Sequence, residues 1–165
     1  MLKPGLSARA LTPPSADIHD QIVRFERQHA VLPLSLRVFY EVVGELDLIG
    51  THPTLAPPDG PVAADPLVVY ALDEGLVDDD DEDGRASVIT IAPDDLHKAN
   101  ISGGDPYQIG IPDLRADGEL LNERHRLFFV DYLRLCFRFG GFPGYDGAAE
   151  VPQEISTLKD GLLEF

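Results

Sequence analysis

Hydrophobic positions in this chain change period three times, and each change marks an element. Ile18, Ile22, Phe25 and His29 recur every three or four residues, with Asp20, Gln21, Arg24, Arg27 and Gln28 between them. That spacing predicts an amphipathic helix, with Ser15 as N-cap and Asp17 in its first turn. Leu32-Pro33 breaks it, because proline cannot continue a helix but suits the first turn of the next. Leu36, Phe39, Tyr40 and Val43 give the second helix its apolar face, and Gly44 ends it. The pattern then turns β-like. Leu46–Ile49 is a short strand and residues 51–66, with five prolines, a loop. Leu67–Leu72 is apolar on both faces, which suits a central strand, and Ser87–Ala92 is its expected antiparallel partner across a charged connection. Asp94-Asp95-Leu96-His97-Lys98 opens a helical turn, and Tyr107–Ile111 alternates as a half-exposed strand. A long helix is expected over about 122–139, ended by Gly140-Gly141, and a last amphipathic helix carries Ile155, Leu158 and Leu162.

Helices, then strands, then helices argue for an α+β domain, with helices packed on one antiparallel or mixed sheet. Residues 1–14 are read as an extended N-terminal segment and 15–165 as that domain; 165 residues suit one core.

Charge changes the picture most. Twenty-nine acids against thirteen bases leave a net charge of −16. A field of that sign repels phosphate backbones and anionic lipid surfaces, so neither nucleic acid nor membrane is an expected partner, and a basic protein is. Acidity of this degree also arises by salt adaptation, so charge alone does not assign a role. Eight of the acids (Asp73, Glu74, Asp78, Asp79, Asp80, Asp81, Glu82 and Asp83) fall within eleven residues and are the candidate partner-binding set. The competing reading is a solvated loop that aids solubility. A calcium site at Asp79, Asp81, Asp83 and Gly84 lacks the closing glutamate, since Thr90 stands there, and no metal is expected. One cysteine, Cys136, cannot form an internal disulfide, and its apolar surroundings read as core. With no apolar run near 20 residues and no signal-type N-terminus, the expected location is cytoplasmic.

Motifs for catalysis are missing from the sequence. His19, His29, His52, His97 and His125 show no metal-ligand spacing, and no serine has a nucleophile-elbow context. Ser102-Gly103-Gly104 lacks the lysine of a phosphate loop, and Asp94-Asp95 is unexceptional in so acidic a chain. No cofactor and no catalytic residue is expected; an enzyme using the 97–105 loop is the outlying alternative.

The order Phe25-Glu26-Arg27-Gln28-His29, Leu32-Pro33, Leu36-Arg37-Val38-Phe39-Tyr40 and Val43-Gly44, then a strand to Gly50, resembles the N-terminal signature of the SUKH superfamily. The aromatic run Phe128-Phe129-Val130-Asp131-Tyr132-Leu133 is similar to its late helix. The chain departs from the family in having one glycine after the second helix and in its proline-rich 51–66 segment. The resemblance implies an α+β domain and a protein-binding role: an immunity protein that neutralises a cognate bacterial toxin, with a regulatory or scaffold module of the same fold as the alternative.

Overall fold

The computed structural model describes residues 10–50, 64–78 and 87–159. Among them the chain runs β1 (Leu11–Thr12), α1 (Ile18–Gln28), α2 (Leu34–Val42), β2 (Glu45–Asp47), β3 (Val68–Val69), β4 (Val77–Asp78), β5 (Val88–Ala92), α3 (Asp95–Lys98), β6 (Tyr107–Gly110), β7 (Leu120–Leu121), α4 (Phe129–Arg138) and α5 (Gln153–Leu158). Single 3₁₀ turns at Glu74–Leu76 and Pro143–Tyr145 complete it. The fold is α+β. Its strands divide into two antiparallel sheets, β1-β2-β3 and β4-β5-β6-β7.

The sheets meet at a register slip. Ile89 pairs with Ile109 and Thr90 with Gln108, but Ala92 pairs with Tyr107, so β5 holds one residue too many. The extra residue, Ile91, accepts the Tyr70 N–H at 2.8 Å, which joins the end of β3 to β5. Leu67, Val68 and Val69 are therefore buried on both faces, as their composition requires. They are not the ladder partner of Ser87–Ala92, however. Asp73 Oδ1 accepts the Gly75 N–H and turns the chain through the 3₁₀ segment, so that Val77 and Asp78 pair with Ile89 and Val88 instead.

The first two helices form where the apolar spacing places them. Ile22 and Phe25 of α1 and Leu36, Phe39 and Tyr40 of α2 are buried in the core shared with Ile89, Ile91, Ile109, Phe129 and Tyr132. Ser15 does not cap α1: its carbonyl accepts the Ile18 N–H and its hydroxyl the Gln21 amide, so the helix starts three residues later. Gly44 ends α2 at φ +89°, and a Cβ there would strike the Thr12–Pro14 backbone that brings β1 against β2. Glu41 draws His19 and Arg37, which holds its carboxyl below the usual carboxylate range.

The late helix is shorter than its apolar run suggests. Leu120–Leu121 is a strand, and residues 122–128 form a loop with Asn122 at φ +66° and Arg126 at φ +54°. That loop returns the Leu127 carbonyl to the Leu120 N–H at 2.9 Å. The helix begins at Phe129 because Asp117 accepts the Val130 N–H at 3.1 Å. Asp117 also takes the Ser35 hydroxyl at 2.6 Å, so one carboxylate ties the starts of α2 and α4 together. Phe39 meets Phe129 edge-to-face at 5.5 Å. Gly140 and Gly141 end α4 with positive φ, and α5 packs so closely on Gly140 that a Cβ would meet Leu158 at 2.8 Å.

Phe39→Ala removes a buried ring from this junction and is expected to cost about 3–5 kcal/mol in urea unfolding. Val42→Ala, on the exposed side of the same helix, is expected to change stability by less than about 0.5 kcal/mol. Equal costs for the two would contradict the assigned helix face.

Candidate functional site

Three residues of the acidic set fall in described structure, and they cluster. Asp73 and Glu74 open the 3₁₀ turn, and Asp78 is exposed in β4. Asp79, Asp80, Asp81, Glu82 and Asp83 lie outside the described residues, as does Gly84 of the calcium alternative. Among the described residues there is no cluster of three side chains fit to hold a metal ion.

Asp78 lies on the wall of an open groove of about 620 Å³ on the outward face of the β4-β5-β6-β7 sheet. Strand alternation dictates its floor. Ile89, Tyr107 and Ile109 point into the core, so Thr90 and Gln108, paired across β5 and β6, point outward. Gln108 donates to the Thr90 hydroxyl at 3.3 Å, and Asn122 donates to the Pro106 carbonyl at 2.9 Å and to the Gln108 side chain at 3.4 Å. Asp105 closes the far wall. Among the described residues no lysine or arginine lines this groove, and neither Asp78 nor Asp105 has a basic partner. The result is a polar, negatively charged concavity that favours cationic groups and disfavours anions. Alternation made Gln108 legible from the sequence; Asp105 and Asn122 reach the groove through loops with no periodic signal.

A second set of polar groups is buried; the sequence marked Asp94 and the loop from His97 onward as polar candidates but gave no sign of Asp65 as a partner. Asp94 caps α3 by accepting the Leu96 and His97 N–H groups at 2.9 and 3.1 Å, and its other oxygen holds the His97 ring. The short helix then turns Lys98 inward. Its Nζ lies 2.7 Å from Asp65 Oδ1 and 4.4 Å above the Tyr107 ring, while the Tyr107 hydroxyl donates to Asp65 Oδ2 at 3.2 Å. The Lys98 and Asp65 side chains are 0% and 1% exposed. Burial and the Asp65 charge push the Tyr107 hydroxyl well up. Burial does the same to the Cys136 thiol, which is a core residue as its surroundings implied. Nearby, His125 sits between Glu123 at 2.6 Å and Asp146 at 3.4 Å. His97 and Lys98 are thus committed to contacts within the chain, and of the 97–105 loop only Asp105 reaches the groove.

Two expectations follow from these contacts. Lys98→Met leaves Asp65 charged and unpaired in the interior and should cost about 3–5 kcal/mol. Adding Asp65→Asn should return most of that loss in equilibrium unfolding, whereas additive costs would contradict a buried pair. The second concerns acid. Burial works to raise the Asp94 carboxyl, but the bonds from His97 and the two N–H groups outweigh it and hold the carboxyl below its ordinary range. A depressed folded-state value adds stability above the unfolded value of about 3.9, lost as pH falls through the folded one. Urea midpoints taken downward from about pH 5 should therefore fall less steeply for Asp94→Asn than for the wild type.

Comparison of the chain with protein-family models, with curated proteins and with solved structures returns no match.

Proposed function

We propose that this protein is a binding module that sequesters a basic protein, and that it acts in the cytoplasm as an immunity protein against a cognate bacterial toxin. The observation that carries the reading is the groove walled by Asp78 and Asp105 with no base lining it among the described residues; in sequence, Asp78 is also the first residue of the most acidic run of the chain. Toxins that act on nucleic acids carry basic clefts to hold phosphates, and a negative, polar concavity can occupy such a cleft in place of substrate. The net charge of −16 adds long-range steering toward such a cleft. The SUKH-like order of the first third supports the same class of role.

Steering of this kind acts on the association rate and is screened beyond about 8–10 Å at physiological salt. The test is stopped-flow association with the protein encoded by the gene adjacent to this one, across a salt series. Replacing Asp78, Asp79, Asp80, Asp81, Asp83 and Asp105 by asparagine is expected to slow association roughly tenfold at low salt and much less at high salt. A rate indifferent to salt and to these substitutions removes the acidic face from the mechanism, and failure of the adjacent product to bind removes the immunity role.

A further inference from the structure

The second helix presents two apolar faces, and the core uses only one. Leu36, Phe39 and Tyr40 point inward. Leu34, Val38 and Val42, spaced four residues apart, form a row along the opposite side and are 56%, 44% and 70% exposed. At the N-terminal end of this row the Leu34 N–H reaches the Arg115 carbonyl, which brings the neighbouring Leu114, 87% exposed, to the same end. Val31, whose carbonyl accepts the Asp113 N–H, adds a further exposed aliphatic. Single exposed aliphatics are ordinary on a protein surface, but a continuous stripe of them on a polar-rimmed helix marks a contact surface.

The rim decides the occupant. Glu41 borders Val38 and Val42, pairing with His19 at 3.0 Å and Arg37 at 3.4 Å. Glu26 takes Arg37 at 3.1 Å, Asp113 takes Arg115 at 2.8 Å, and Asp117 takes the Ser35 hydroxyl. Glu119 adds its field at Arg115. Three of those five carboxylates pair with two guanidinium groups, those of Arg37 and Arg115, and the other two have no ion pair among the described residues, so the rim keeps a surplus of negative charge. In a two-fold contact with a second copy the same patch would meet itself, acid rim against acid rim, between chains of net charge −16 each. An acid-rimmed apolar stripe is complementary instead to an apolar patch bordered by arginine or lysine.

We propose that the outward face of α2, Leu34, Val38 and Val42 with Leu114 at its end, is a docking surface for a protein whose contact patch is apolar at its centre and bordered by basic side chains. This rests on the reading of the chain as a module that binds a basic protein, and it assigns the short-range contact to a helix outside the acidic groove. The apolar row governs how long the complex lasts, while the acids govern how fast it forms.

The test uses the adjacent gene's product as probe and the combined variant Leu34→Gln, Val38→Gln, Val42→Gln, which keeps good helix formers at exposed sites. Its unfolding midpoint should stay within a few degrees of the wild type, while affinity falls about 100-fold, through faster dissociation and with little dependence on salt. Wild-type binding that the triple substitution leaves intact overturns this surface and leaves the binding role standing. No binding of the probe to the wild type overturns both. A wild-type dimer in sedimentation that the triple variant dissolves overturns the basic partner and makes a second copy the occupant.

Discussion

A buried lysine sets the terms for the rest of this structure. Lys98 is one of three lysines in a chain of 29 acids, and its side chain is turned wholly into the interior. Taking a charge out of water is tolerable only with a partner of opposite sign held at hydrogen-bond distance. Asp65 supplies that partner and Tyr107 shares it, so α3, the start of β6 and the chain entering β3 must converge on one point. The convergence fixes more than three residues. Leu67 donates to the Gly141 carbonyl and Gly144 to that of Ala64, which ties the segment carrying Asp65 to the glycine turn after α4. The orientation of both sheets to the C-terminal helices therefore depends on a contact between residues 33 positions apart.

That contact also marks the boundary of what the sequence reveals. Apolar periodicity located α1 and α2, their break at Leu32-Pro33 and the Gly44 stop, because burial of one helix face writes a 3.6-residue signal. A β-prone run located β5 and alternation located β6, whose pleat puts Gln108 on the outward face. Periodicity misled at 122–128, where apolar and charged residues continue in helical spacing but Asn122 and Arg126 take left-handed conformations and Asp117, more than ten residues away, decides where α4 starts. The pairing of β5 with β4 rather than β3 was hidden for a similar reason: the 3₁₀ turn that redirects the chain is set by local bonds at Asp73, whose side chain accepts the Gly75 N–H and whose carbonyl accepts that of Leu76. Lys98 and Asp65 carry no local pattern, since their partnership exists only in three dimensions.

On the proposed binding role, the surface divides its work between charge and apolar contact. Among the described residues, Asp78 and Asp105 line the groove beside β4 without a basic partner, whereas Arg24, Arg27, Arg134 and Arg138 lie on α1 and α4. The exposed stripe on α2 is apolar with a carboxylate-rich border. Charge without burial gives fast encounter and little durability; apolar contact gives durability without reach. A module that must find one basic protein and stay on it needs both, and the two features occupy separate elements of this fold.

Hydrogen–deuterium exchange on the complex with the adjacent gene's product reads the central claim most directly, because it locates the contact without altering the chain. The account predicts slowed exchange over residues 74–78, 105–108 and 34–42 on binding, with the arginine-bearing faces of α1 and α4 unchanged. Protection confined to those arginine faces, with the acidic groove and α2 exchanging as in the free protein, would contradict it.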